Sequence, residues 1–150
     1  MSDNMKNDPL LESFVFETLE LVSQLENIAL ASEEESAIGS QINEIFRIVH
    51  TIKGSSSMMD FESISSLSHS LEDVFYYLRE NHPDHVDYTS LTDVVLKSTD
   101  FIRGEVNLIQ SGENPNHDPS EVVQVINDFL SALKNGNERP NQIMGTGSGP

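Results

Sequence analysis

The sequence predicts an all-α fold, an antiparallel up-down four-helix bundle with a fifth C-terminal helix packed alongside. Apolar residues recur at spacings of three and four in five successive segments, and no alternating run bounded by hairpin turns competes with them. Short polar loops join the segments, and short connections favour antiparallel neighbours. A length of 150 residues suits one domain with a single hydrophobic core.

The first two helices are predicted over residues 9–31 and about 38–58. Asp8 precedes Pro9, which combines an N-cap with a proline at the first helical position. The acidic polar cluster at residues 32–36 is expected to form the loop between these helices. The apolar stripe of the second helix marks its buried face: Ile42, Ile45, Val49 and Ile52.

The third helix is predicted over residues 61–80, between the N-cap residue Asp60 and the helix-breaking Pro83. Its apolar stripe is Ile64, Leu67, Leu71, Val74, Phe75 and Leu78. Met58 and Met59 precede it and are expected to plug the core at the turn.

The fourth and fifth helices have clear boundaries. Asp87 caps the fourth helix, which is expected to end near Gly112. A capping box that starts at Asp118 begins the fifth helix, and Gly136 is expected to end it.

The chain is expected to divide into three parts: a disordered lead (1–8), the helical bundle (9–136) and a tail (137–150). The tail lacks periodicity and is rich in glycine, so it is expected to be a flexible linker or a cloning remnant.

Composition excludes several classes of function. A net charge of −17 with only eight lysines and arginines argues against nucleic acid or an anionic membrane as a partner. The absence of cysteine excludes a disulfide framework and a thiolate metal site. The N-terminal stretch lacks the apolar core of a signal peptide, and no run reaches the ~18 apolar residues of a membrane span. A cytoplasmic protein is expected.

The candidate functional residues lie on the second and third helices. His50, Lys53 and Gly54 fall within one turn and share a face. His69 and Glu72 share a face of the next helix. Facing residues of an antiparallel hairpin have a constant index sum, and the pairs 50 with 72 and 53 with 69 have the same sum. Glu72 is therefore expected to face His50, and His69 to face Lys53.

These residue types suit nucleophilic chemistry at an imidazole. A neutral imidazole attacks through one ring nitrogen, and a carboxylate such as Glu72 can hold the proton on the other nitrogen and increase nucleophilicity. Lys53 would lower the cost of bringing an anionic group to an acidic surface. Gly54 would leave space for a partner, at roughly 1 kcal/mol of helix stability relative to alanine. His69 is expected to support this network.

The segment 42–80 resembles the histidine-containing phosphotransfer (HPt) family, as found at the N terminus of the chemotaxis histidine kinase CheA. The motif is His-x-x-Lys-Gly, followed on the next helix by His-x-x-Glu. It is carried here by His50, Lys53, Gly54, His69 and Glu72. The resemblance extends more loosely from about residue 10 to about residue 135.

The resemblance implies that a CheA-type ATP-binding kinase domain phosphorylates His50 on the ring nitrogen farther from the backbone. The phosphoryl group would then pass to an aspartate of a response-regulator receiver domain that carries Mg²⁺. No cofactor is expected in this domain, because ATP and magnesium belong to the partner domains. The chain also lacks a glycine-rich phosphate loop, so it is expected to be a substrate and not an enzyme, whereas the full-length protein it resembles is a histidine protein kinase.

Other interpretations remain open from the residues. His50 could be a border histidine without a function, and a stand-alone HPt shuttle of a multistep phosphorelay is the nearest alternative to a CheA fragment. A di-metal carboxylate enzyme or an acidic interaction bundle without chemistry are alternatives from other classes. A minor possibility is a metal site in the loop after the third helix, formed by His82, Asp84, His85 and Asp87.

Overall fold

The computed structural model describes residues 8–31 and 38–146, with side chains described as far as Gly136. Its helices are α1 (Pro9–Ala31), α2 (Ile42–Met58), α3 (Glu62–Asn81), α4 (Tyr88–Gln110) and α5 (Ser120–Thr146). No strand occurs in these ranges. The predicted all-α class is therefore confirmed. None of the helices in the described part of the chain has both the length and the apolar composition needed to cross a membrane.

The first four helices form a closed bundle in which each contacts its neighbours in the order α1, α2, α3, α4 and back to α1. The contact between α2 and α3 is the most extensive, and α5 packs against α3 and α4. The largest fully buried side chains form one core: Leu25, Ile38, Ile45, Ile52, Ile64, Leu67, Leu71, Phe75, Leu78, Leu91, Ile102 and Ile126. Burying each such side chain contributes about 1.5 to 3 kcal/mol before conformational entropy is subtracted.

Aspartate side chains cap three helices, as the sequence predicts. The Asp8 carboxylate accepts a hydrogen bond from the Leu10 amide at 3.1 Å. Asp87 accepts one from the Ser90 amide at 3.1 Å. Asp118 accepts one from the backbone amide of Ser120 at 3.0 Å. Each cap satisfies an amide that would otherwise lack a partner inside its helix.

The turn between α2 and α3 differs from the prediction. Asp60 is not the N-cap of α3, because Phe61 occupies that position and Asp60 has a positive φ of 64°. The Phe61 amide donates to the Ser56 carbonyl at 2.8 Å, and the Asp60 amide donates to the Ser57 carbonyl at 3.1 Å. This pair of bonds is a Schellman motif, which requires a left-handed residue where Asp60 stands. Aspartate is one of the few residues other than glycine that tolerate that conformation.

Two predicted helix boundaries are wrong. Residues 38 and 39 are helical, but a turn at Ser40 and Gln41 separates them from α2, which begins at Ile42. Glycine and serine at 39 and 40 are poor helix formers, which explains the interruption. At the other end, α5 continues beyond Gly136 to Thr146, since glycine weakens a helix without forbidding it.

Other predictions fall partly outside the described structure. Most of the disordered lead at 1–8 and all of the loop at 32–36 lie outside the described residues. The division of the chain at residue 136 stays a prediction.

The two methionines at the end of α2 have different environments. Met59 packs against the core, but Met58 is an exposed large hydrophobic residue, so the prediction that both plug the core is wrong for Met58. Met58 lies one turn beyond Gly54 on the solvent-facing side of α2, where side chains three and four apart share a surface. Met58 therefore lies on the same exposed face of α2 as Gly54 and the candidate residue His50.

The left-handed positions at the ends of α2 and α4 make a testable pair. We expect Asp60→Gly to raise the free energy of unfolding by about 0.5 kcal/mol, because relief of left-handed strain exceeds the entropy that glycine adds to the unfolded chain. Gly112 has a φ of 84°, so Gly112→Ala should lower that free energy by about 1 kcal/mol. Urea denaturation of both variants measures these changes. A change of the same sign in both would contradict the Schellman interpretation of the α2–α3 turn.

Candidate functional site

The centre of the candidate site is a contact between α2 and α3. The His50 Nδ1 lies 2.5 Å from the Glu72 Oε2. The His50 side chain is 60% exposed, whereas that of Glu72 is 11% exposed. An ionised carboxylate can only accept hydrogen bonds, so the Nδ1–H of His50 donates to Glu72. This bond leaves the Nε2 lone pair on the exposed side of the ring.

Helix packing explains why these two side chains meet. Val49 precedes His50 and is buried, and Leu71 precedes Glu72 and is also buried. Each functional residue therefore lies at the edge of its helix's apolar face, beside the interface between α2 and α3. The pairing predicted from the index sum, His50 with Glu72, is confirmed.

The second oxygen of the same carboxylate binds a lysine. The Lys53 Nζ lies 2.8 Å from the Glu72 Oε1. Burial by itself raises the pKa of Glu72, but the hydrogen bonds from Lys53 and His50 and the positive charge of Lys53 outweigh it and hold that pKa below its ordinary value. Glu72 is therefore an ionised acceptor at neutral pH, as orientation of the imidazole requires.

His69 has a carboxylate of its own helix as its neighbour. Its Nε2 lies 3.8 Å from the Asp73 Oδ2, on the same helix. Lys53 contacts Glu72, and the expected facing of His69 and Lys53 stays a prediction. A lysine ammonium is attracted to a carboxylate much more strongly than to an imidazole, which explains the choice of partner. The supporting role of His69 stays a prediction.

Gly54 lies in open space. A Cβ atom added at this residue would meet nothing within 4 Å. The packing of the described residues therefore does not require glycine here. Its predicted role, to admit a partner to His50, is untested and stays a prediction.

Sequence reasoning missed an aromatic and cationic cluster beside His50. The Phe46 ring stacks on the imidazole with centroids 6.1 Å apart and planes 14° from parallel. The Arg79 guanidinium lies 4.2 Å from the Phe46 centroid, and the Tyr76 ring lies 6.3 Å from it. The signal was present in the spacing, since Phe46 is four residues before His50 and Tyr76 four residues after Glu72. Phe46 restricts the orientation of the imidazole from the side opposite to Gly54.

The metal alternatives gain no support from the geometry. Among residues 8–31 and 38–136, no group of three or more histidine, aspartate or glutamate side chains is arranged to hold a metal ion. This includes the four residues of the loop after α3 that were considered as a minor metal site.

Comparison with known proteins gives the family. The model of the Hpt domain family matches residues 9–136. The chain belongs to the Hpt domain family. This Hpt domain is 32% identical over 127 residues to the chemotaxis protein CheA of Borreliella burgdorferi, a match that covers 85% of this chain and 14% of that protein. It is 31% identical over 121 residues to CheA of Listeria monocytogenes, with 81% of this chain and 19% of that protein covered.

One further relative agrees with this family, and one solved structure agrees with the fold. The sensor histidine kinase CheAY of Helicobacter pylori is 29% identical over 133 residues, with 85% of this chain and 16% of that protein covered. The Hpt domain thus spans less than a fifth of the length of these relatives. The phosphorylated P1 domain of CheA3, solved in complex with CheY6 from R. sphaeroides, superposes with a TM-score of 0.70 at 17% identity, covering 89% of this chain and 99% of that one. This likeness supports the fold.

The lowered pKa of Glu72 predicts a pH dependence. A carboxylate whose pKa falls on folding stabilises the protein fully above its unfolded pKa of 4.5, and this contribution disappears as the pH falls through the folded value. Between about pH 6 and about pH 3, Glu72→Gln should therefore lose less unfolding free energy than the wild type. Over the same pH range, Lys53→Met should lose an amount of unfolding free energy between those of the wild type and Glu72→Gln. Urea denaturation across the pH series measures all three, and parallel curves for wild type and Glu72→Gln would contradict the proposed ion pair.

Proposed function

We propose that His50 accepts a phosphoryl group at Nε2 from the ATP-binding kinase domain of a CheA-type protein. The phosphoryl group then passes to an aspartate on the receiver domain of a response regulator. The observation that carries this proposal is the His50–Glu72 contact, in which the buried carboxylate binds Nδ1 and leaves Nε2 exposed. Membership of the Hpt domain family gives independent support.

The geometry suits a reversible transfer. In the forward step the Nε2 lone pair attacks the γ-phosphorus, the bond to the bridging oxygen breaks, and ADP leaves with the electron pair. The ring then carries a positive charge, and its Nδ1–H remains hydrogen-bonded to ionised Glu72. In the return step a receiver aspartate attacks the same phosphorus, and the N–P bond breaks to regenerate neutral imidazole. No proton has to leave Nδ1 in either direction.

Lys53 makes this chemistry compatible with an acidic protein. The chain carries a net charge of −17, which repels a phosphoryl anion. The Lys53 ammonium lies 2.8 Å from Glu72 and keeps part of its side chain exposed. It therefore supplies positive charge beside the imidazole and also holds Glu72 in its ionised form.

The surface around His50 leaves room for a partner protein. Gly54 contributes no side chain one turn after the histidine. Phe46 lies on the opposite side of His50 from this gap, and exposed Met58 lies one turn beyond the gap. Large apolar side chains around a reactive group suit transient contact with kinase and receiver domains in turn.

The activities that this domain does not carry out belong to other domains of a CheA-type protein. Because the chain spans 14% to 19% of the CheA relatives described above, the ATP site and its magnesium are assigned to other domains, and the Hpt domain itself acts as substrate without a cofactor of its own. A cytoplasmic location belongs to the same proposal, since ATP and receiver domains are found there. The CheA relatives favour this assignment over a stand-alone phosphorelay shuttle.

The direct test is phosphorylation by a CheA kinase core with ATP. We expect acid-labile phosphate on His50 and none in His50→Gln, and we expect that variant to stay folded because His50 is exposed. Glu72→Ala should slow incorporation by about 10-fold to 100-fold, as loss of an orienting hydrogen-bond partner does at other histidine sites. Arg47→Ala, which removes an exposed cation on the same helix, is the control and should keep the wild-type rate. Incorporation in His50→Gln at the wild-type rate would refute the site.

Gly54 should affect folding and transfer in opposite directions. Gly54→Ala should raise the free energy of unfolding by roughly 0.5 to 1 kcal/mol, because its Cβ enters open space and alanine favours the helix. Gly54→Gln should keep most of that gain, but its side chain fills the gap beside His50. Phosphorylation by the kinase domain should then fall more than reaction with a small phosphodonor.

The ratio of those two rates in wild type and in Gly54→Gln is the decisive measurement. An equal effect on both rates, or none on either, would show that the gap does not serve to admit a protein partner.

A further inference from the structure

A second histidine in this protein has nearly the same surroundings as His50. His117 lies in the loop before α5, and its Nδ1 is 2.5 Å from the Oε2 of Glu105 on α4. The His117 side chain is 65% exposed, whereas that of Glu105 is 1% exposed. As at His50, a buried carboxylate accepts the Nδ1–H and leaves Nε2 on the exposed side of the ring.

Two further hydrogen bonds fix this second pair. The Ser63 hydroxyl of α3 donates to the Glu105 Oε1 at 2.7 Å. The backbone amide of His117 donates to the same oxygen at 3.2 Å. Three donors therefore converge on one buried carboxylate, and the imidazole is held through both its ring and its backbone. A held ring with a defined tautomer is prepared for attack through Nε2.

The exposed side of His117 opens on a depression of about 370 Å³. Its lining includes Ser66 and Asn116, whose hydroxyl and amide groups can donate hydrogen bonds to phosphoryl oxygens. It also includes Asp60 and Glu62, and no lysine or arginine. The second pair thus has room for a small tetrahedral group but lacks the cation that Lys53 supplies at His50.

We propose that His117 is a second phosphoryl acceptor, which takes a phosphoryl group at Nε2 from small phosphoramidate donors. The Nε2 lone pair forms a bond to phosphorus, the P–N bond of the donor breaks, and the nitrogen leaves with the electron pair as ammonia. The Nδ1–H stays on the ring, hydrogen-bonded to Glu105, so the product is an Nε2-phosphorylated imidazolium. The acidic lining makes this reaction slower than that of His50, and it needs no kinase domain.

The test uses the His50→Gln chain treated with potassium phosphoramidate. Acid-labile phosphate is followed by ³¹P NMR and located by mass spectrometry under alkaline conditions. We expect modification at His117 at least about 10-fold faster than at His69, an internal comparison whose ring is 62% exposed but whose ion pair to exposed Asp73 is 3.8 Å long. The double variant His50→Gln, His117→Gln should lose this signal. Raising the salt concentration should speed modification of His117, because screening weakens repulsion by Asp60 and Glu62.

Two outcomes would overturn the proposal. The first is modification of His117 no faster than that of His69. This result would mean that the contact between His117 and Glu105 only holds the loop in place. The second is an Nε2–H tautomer of His117 in ¹⁵N NMR spectra of the unmodified protein, a measurement that does not depend on whether a Glu105 variant folds. Neither outcome bears on phosphorylation of His50 by a kinase domain, so the two proposals fail separately.

Discussion

The carboxylate of Glu72 is the group on which the rest of the site depends. Removing a charge from water is costly unless opposite charge and hydrogen bonds replace the lost hydration. Lys53 supplies a positive charge and a hydrogen bond to one carboxylate oxygen, and His50 supplies a hydrogen bond to the other. The same contacts orient the imidazole, so the interactions that make a buried charge tolerable also define which nitrogen is exposed.

That arrangement constrains the hairpin of α2 and α3. Val49 and Leu71 pack into the core next to the two functional residues, so a small rotation of either helix would bury His50 or expose Glu72. The Schellman turn at Asp60 fixes where α2 ends and α3 begins. Because close-packed interiors resist small shifts, the hairpin core holds the register that the chemistry needs.

Charge explains how one bundle can hold two histidine–carboxylate pairs with different properties. Both pairs place a buried carboxylate 2.5 Å from Nδ1. At His50 the second carboxylate oxygen binds the ammonium of Lys53, whereas at His117 it binds uncharged donors. The protein has a net charge of −17. Because Lys53 offsets this charge locally, the His50 site suits a highly charged donor, whereas the His117 site suits only small donors.

The sequence alone determined the five helices apart from the start of α2 and the end of α5, the caps at Asp8, Asp87 and Asp118, and the pairing of His50 with Glu72. These features depend on residues close in the chain or on the simple register of one hairpin, so spacing is enough to predict them. Only the tertiary structure decided that Asp60 takes a left-handed conformation, that Lys53 binds Glu72, and that Glu105 binds His117. The last contact joins a helix interior to an irregular loop that has no periodicity, and the position of such a loop depends on the packing of helices distant in sequence.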